Sequence, residues 1–178
     1  RSVSRGLGDV YKRQALAIHR QNAAEIEYLD RYYRGDQPIL YRKKVNRPEV
    51  NNKIVVNLAY ELVERKTADI CAEPIQYVLR GTDDKKSDEI SWLNAIMDSE
   101  NKQECDIDIC RWRSICGTAY RFIGNDEGNG SVLDESDFEL SSENPIYTFV
   151  VYFPNNKPAF SCQIREDENG QELSLIHI

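Results

Sequence analysis

Five thiols could carry chemistry in this 178-residue chain: Cys71, Cys105, Cys110, Cys116 and Cys162. None stands in a CxxC pair, so neither a zinc ribbon nor a thioredoxin-like motif is supported. An odd number of cysteines with no secretory segment points to reduced thiols. Cys105, Ile109, Trp112 and Cys116 step by four, three and four, which puts them on one helix face. The ordinary role for such cysteines is that of small core hydrophobes, with a redox or metal role as the alternative. Histidine chemistry has little to work with, since only His19 and His177 occur. His19 lies in a helical pattern with no nucleophile nearby, so a surface or packing role is expected. Among carboxylates, Asp106, Asp108, Asp126 and Asp137 could serve a hydrolytic centre. Asp106 and Asp108 are two apart on a helix and face different ways, so they form no pair by themselves. Residues 125–137 imitate a calcium loop, but Ser136 stands where the closing glutamate is required. Asn129-Gly130-Ser131 formally matches a glycosylation acceptor, which means little without a secretion signal. No GxxxxGKS phosphate loop is present. The expectation is therefore no catalytic constellation, no metal and no cofactor.

The elements that would carry these groups follow from periodicity and punctuation. Residues 15–34 read as a helix, with Ile18, Ile26, Leu29 and Tyr33 near one face and Gly35 as terminator. Asp36-Gln37-Pro38 turns the chain into a connector over 39–53. That connector holds Arg42, Lys43, Lys44 and Arg47 beside Tyr41, a weak candidate for nucleic acid phosphate or a subunit contact. A solvated loop is its ordinary reading. A second helix is expected over 53–72, with Asn52 as its cap, Val55, Leu58, Leu62 and Ile70 at helical spacing, and Glu61 placed to pair with Arg65. Residues 75–80 are β-branched and aromatic and predict a strand closed by Gly81, followed by a charged loop over 82–87. Helices follow over 88–100 and 102–116, broken near Asn101, with Gly117 as terminator. Strands are expected over 118–124, 146–153 and 159–165, the last two paired antiparallel across Pro154-Asn155-Asn156-Lys157-Pro158. After 166–168, Asn169-Gly170 suggests a hairpin turn whose return strand is missing. Helices and strands do not alternate, so the class is α+β, with helices packed on a partial antiparallel sheet.

Composition narrows the function classes. With 23 basic and 30 acidic residues the formal charge is −7, which argues against a general DNA-coating surface. No apolar run is long enough to cross a membrane, and none resembles a secretory core. The two ends differ from the middle. Residues 1–14 carry Arg1, Arg5, Lys12 and Arg13 against Asp9, a local +3 that leaves −10 for residues 15–172; residues 173–178 carry no formal charge. Both end strings resemble translated sequencing adapter at the edge of a metagenomic fragment, so 1–14 and 173–178 are expected to be non-native tails around an incomplete domain over 15–172.

A family resemblance rests on motifs in order. A helix ends at Tyr33 and Gly35, and a short basic connector leads to Asn52-Lys53-Ile54. Asn57 and Lys66 follow, then Pro74-Ile75-Gln76-Tyr77, Gly117-Thr118-Ala119-Tyr120, Phe149-Val150-Val151-Tyr152 and Ile164-Arg165. This order, over about residues 20–166, resembles the N-terminal wing region of portal proteins of tailed bacteriophages. One departure is Asp69-Ile70-Cys71-Ala72-Glu73, where the family often has glycine-rich sequence. The resemblance implies a structural, non-enzymatic subunit of a ring at the capsid vertex, commonly a dodecamer. DNA is packaged and ejected through such a ring. Its implied partners are the terminase large subunit, capsid or scaffold proteins, head-tail adaptors and the double-stranded DNA in the channel, with no membrane. The implied location is the virion, after assembly in the host cytoplasm. Asn52, Lys53, Asn57, Lys66, Gly117, Tyr120 and Arg165 are its expected structural or subunit-contact positions. The alternatives are a carboxylate-dependent phage nuclease or hydrolase domain, or another head or adaptor protein.

Overall fold

A computed structural model describes residues 2–81, 84–125, 138–166 and 172–176. Asp126, Asn129-Gly130-Ser131, Asp137, the expected turn at Asn169-Gly170 and His177 lie outside the described residues, as does the side chain of Arg165. The order is α1 (Ser2–Tyr33), a short 3-10 turn (Pro38–Tyr41), α2 (Leu58–Cys71), α3 (Asp84–Ser99) and α4 (Lys102–Cys116). Five strands follow: β1 (Tyr120–Asn125), β2 (Phe138–Glu143), β3 (Thr148–Tyr152), β4 (Pro158–Glu166) and β5 (Glu172–Ile176). The α+β class holds, but the strands form two sheets, β1-β2 and β3-β4-β5, each antiparallel.

Several expected elements are displaced. α1 starts at Ser2, upstream of residue 15. The predicted helix over 53–72 begins only at Leu58. Residues 75–80 join no sheet; instead the backbone of Tyr77 is held by the Asn94 carboxamide of α3, which accepts from Tyr77 N at 3.0 Å and donates to Tyr77 O at 3.0 Å. One side chain thus takes the place of a ladder neighbour. The charged stretch over 82–87 is helical from Asp84 onward. β2, FELSSE, was not expected, because its short polar run lacks a strand signature. The return strand expected to be missing is present as β5, paired with β4.

The chain divides into two compact units, Arg1–Tyr60 with Asn144–Ile178, and Glu61–Glu143. In the first, the covered face of α1 runs through Lys12, Leu16, His19, Ala23, Ile26, Asp30 and Tyr33, alternating steps of four and three. The apolar positions Ile18 and Leu29 face solvent, so the true face is shifted from the predicted one. Its two buried polar groups, His19 and Asp30, each find a partner. Buried His19 donates from Nε2 to Ile146 O at 2.9 Å and stacks on Phe149, ring centroids 4.4 Å apart. Asp30 pairs with Arg34 at 2.9 Å. Phe149 and Cys162 are register partners on β3 and β4, and with Thr148 and Pro145 they complete this core.

In the second unit α4 lies against α3, β1 and β2. Asn101 takes a left-handed conformation at the α3–α4 break, and Gly117, at φ +78°, caps α4 with its N–H on Arg113 O at 3.0 Å. Both boundaries fall where expected. Among the described residues Ile96, Cys71 and Cys105 are its buried apolar ones, and Cys105 donates to Leu140 O at 3.6 Å. Cys71 and Cys105 are thus packed as small buried residues.

Burial pushes the His19 imidazole below its ordinary value of 6.5, against the opposing pull of the bond to Ile146. A depressed value means that the folded state holds the neutral ring. The stability this contributes is present above about pH 6.5 and is lost as pH falls through the folded value. The melting temperature should therefore drop between about pH 7.5 and pH 5, above the carboxylate range. His19→Gln, which keeps a donor for Ile146, should flatten that slope; an unchanged slope would assign the pH dependence to another group.

Candidate functional site

Of the family-like positions, Asn57 lies at the junction of α1 and α2. α1 ends in a Schellman arrangement: Asp36 N–H bonds Arg31 O at 2.9 Å and Gly35 N–H bonds Tyr32 O at 3.1 Å. Gly35 sits at φ +89°, a conformation that a side chain strains, and a Cβ there would lie 3.4 Å from Asn57 Nδ2. Asn57 fills that space. Its Nδ2 donates to Tyr33 O at 2.7 Å and its Oδ1 accepts from Tyr60 N at 3.1 Å. The second bond is an N-cap to the third residue of α2, so Asn57, not Asn52, caps this helix. Tyr33 and Tyr60 stack beside the joint, centroids 5.4 Å apart.

This cap leaves Asn52 and Lys53 outside the helix, both exposed. Lys66 is exposed on α2. Lys53 falls in the first unit and Lys66 in the second. The expected pair of Glu61 and Arg65 does not form; Glu64 is used instead, by Arg111 of α4 at 2.9 Å. Gly117 and Tyr120 mark the end of α4 and the start of β1, where Tyr120 is the register partner of Glu143. Arg42, Lys43, Lys44 and Arg47 are all exposed in a loop closed on itself. Lys44 Nζ donates to Val50 O at 2.8 Å, and Asn51 Nδ2 donates to Arg42 O at 3.2 Å. At the loop entrance Asp36 accepts from Tyr41 and Arg31, which hold its carboxyl below the usual carboxylate range.

Of the acids considered for catalysis, Asp106 and Asp108 are held by cations. Asp106 accepts from Lys102 one turn earlier on α4 and from Arg121 on β1. Burial pushes the Asp106 carboxyl up, but these two partners outweigh it and hold it below its ordinary value. Lys102 is itself buried, and its ammonium lies 5.9 Å from the centroid of the Tyr77 ring. Asp108 accepts from Arg111 at 2.7 Å. Among the described residues no group of three or more His, Cys, Asp or Glu side chains could hold a metal ion. No helix among them is long and apolar enough to cross a membrane. Asn94, Glu64 and Arg111 escaped sequence reasoning. The only signal for Asn94 is a poor helix former in mid-helix, and Glu64 and Arg111 meet across 47 residues.

Helices joined to two small antiparallel sheets define an α+β protein. The chain matches the profile of the family described as "Phage portal protein, SPP1 Gp6-like" over residues 13–176. It belongs to the phage portal protein family, and its role is in general the structural one of a portal. No curated relative matches it.

Two outcomes follow from this geometry. Asn57→Ala removes a helix cap and leaves the Tyr33 carbonyl without its partner, at an expected cost of about 2 kcal/mol in urea unfolding. Asn57→Asp keeps the cap oxygen and should lose about half as much; equal losses would deny the cap on Tyr60 a share. Asp106→Asn strands the Lys102 charge, whose side chain is 10% exposed, and should cost about 3 kcal/mol. Adding Lys102→Met should recover much of that loss, whereas no recovery would show that charge burial is not its origin.

Proposed function

We propose that the chain is a subunit of the portal ring at a capsid vertex, contributing its wing region. In the complete protein the ring, most commonly a dodecamer, forms the channel for packaging and ejecting double-stranded DNA. It docks the terminase large subunit during filling, and capsid or scaffold proteins and head-tail adaptors at other stages. Its location is the virion, after assembly in the host cytoplasm. The observation that carries this reading is the portal-family match across 13–176.

Surface chemistry supports it. Leu58, Leu62 and Ile70 were expected to face the core, yet they are 59%, 68% and 61% exposed, while Thr67 and Cys71 are buried. An apolar stripe on the solvent side of a helix fits a neighbouring subunit better than water. Exposed Lys53 and Lys66 suit acids of that neighbour, with Arg165 in the same role. The net charge of −7 suits a conduit that must not grip phosphate, because each bound phosphate adds to salt-dependent affinity and opposes sliding. The connector cations Arg42, Lys43, Lys44 and Arg47 are proposed as a secondary subunit or DNA contact. The nuclease alternative draws little from Asp106, whose two oxygens accept from Lys102 and Arg121, or from Asp108, which pairs with Arg111 through Oδ1. Residues 1–14 and 173–178 are proposed to be non-native tails, although 2–14 lie in α1 and 172–176 form β5.

Native mass spectrometry of the complete gene product should give a closed ring, with a central hole in electron micrographs. Leu62→Asp should shift it toward monomer while leaving helical circular dichroism unchanged. A wild-type protein that stays monomeric across salt and concentration would overturn the ring assignment.

A further inference from the structure

The last residue of α2 and the middle of α4 bring two thiols together: Cys71 Sγ donates to Cys110 Sγ across 2.6 Å. An S–S bond is about 2.05 Å long, so the sulfurs stand little more than half an ångström beyond bonding distance. Both are free thiols. They also line one surface cavity of about 120 Å³, together with Ile70, Pro74, Ile75 and Ile109. The two residues are 39 positions apart on separate helices of one compact unit, so a bond between them would close a long loop.

We propose that Cys71 and Cys110 form an oxidisable dithiol, which hydrogen peroxide converts to a disulfide tying the end of α2 to α4. Cys110, half-buried and accepting the hydrogen bond, is the sulfur that meets the oxidant. Its thiolate attacks one peroxide oxygen, the O–O bond breaks, and the other oxygen leaves as water after taking a proton. The product is a sulfenic acid at Cys110. The Cys71 sulfur then attacks the Cys110 sulfur. The S–O bond breaks, and the departing hydroxide takes the Cys71 proton as a second water. Two thiols lose two electrons and two protons, and one peroxide is reduced to two waters. Burial, and then the bond to Cys110, push the Cys71 thiol up to about 11, so Cys71 stays protonated until the sulfenic acid forms beside it. The other cysteines are engaged differently: Cys105 donates to Leu140 O, Cys116 donates to Trp112 O and Thr118 O, and Cys162 is buried on β4 opposite Phe149 of β3. This inference stands on the thiol geometry alone and does not depend on the portal reading.

The test treats the full chain with equimolar hydrogen peroxide, blocks residual thiols, and maps peptides by mass spectrometry without reductant. The expected product is a single cross-linked peptide pair containing Cys71 and Cys110, lighter by two hydrogens and split by a thiol reductant. The melting temperature should rise by on the order of 10 °C and return on reduction. Cys162→Ser should leave both effects intact, and Cys110→Ser should abolish them. Recovery of Cys71 and Cys110 as blocked thiols, or as separate sulfinic acids, would overturn the proposal. So would a reversible rise that survives in Cys110→Ser. The peptide map uses the unaltered chain, so it decides the matter even if a cysteine variant fails to fold.

Discussion

Two helix ends meet at one carboxamide. The last carbonyls of α1 and the first amides of α2 have no partners within their own helices, and each must find one elsewhere. Asn57 answers both, with its Nδ2 on Tyr33 O and its Oδ1 on Tyr60 N. Gly35 makes this possible by turning the chain at φ +89° without a Cβ in the way. Much else depends on this joint. It sets the start of α2 at Leu58, and so leaves Asn52 and Lys53 outside the helix. It forces residues 42–51 to loop outward, where backbone bonds from Lys44 and Asn51 close the loop and leave its cations in solvent.

The second unit is organised by charge more than by apolar volume. Asp106 sits between Lys102 on its own helix and Arg121 on β1, while Arg111 reaches from α4 to Glu64 on α2. A buried lysine is costly unless paired, and here the carboxylate and the Tyr77 ring share that task. Such an arrangement holds elements in register more strictly than a greasy contact, because each charge accepts only a narrow geometry. It also binds acids that might otherwise serve chemistry, which agrees with membership in a structural family.

The apolar core is thin for a chain of this length. Cys71, Ile96, Cys105, Phe149 and Cys162 are its buried apolar residues among those described, while Val45, Ile75 and Val78 stand 95%, 63% and 79% exposed. Water-facing apolar side chains on this scale are expected of a protein that completes its packing against others. The proposed ring would cover the α2 stripe. The thiol pair at the end of α2 would then lock that helix to α4 in an oxidising medium without any change of neighbours.

The sequence by itself determined the stops and breaks and the family. Gly35, Asn101 and Gly117 end or separate helices because their backbone conformations are local properties. The Pro154–Pro158 turn dictates the β3–β4 hairpin for the same reason. What escaped was everything that depends on a distant partner. His19 takes a buried place on α1, and Ile18 does not, because Ile146 O waits 127 residues away. The run at 75–80 has strand-forming residues, but a strand needs a neighbour, and Asn94 took that place. β2 has weak strand residues and exists because β1 pairs with it. Asn57 caps α2 instead of Asn52 because Tyr33 O lies within its reach. Local conformation is written in residue types, whereas burial and pairing are settled only when tertiary structure brings the second partner to the first.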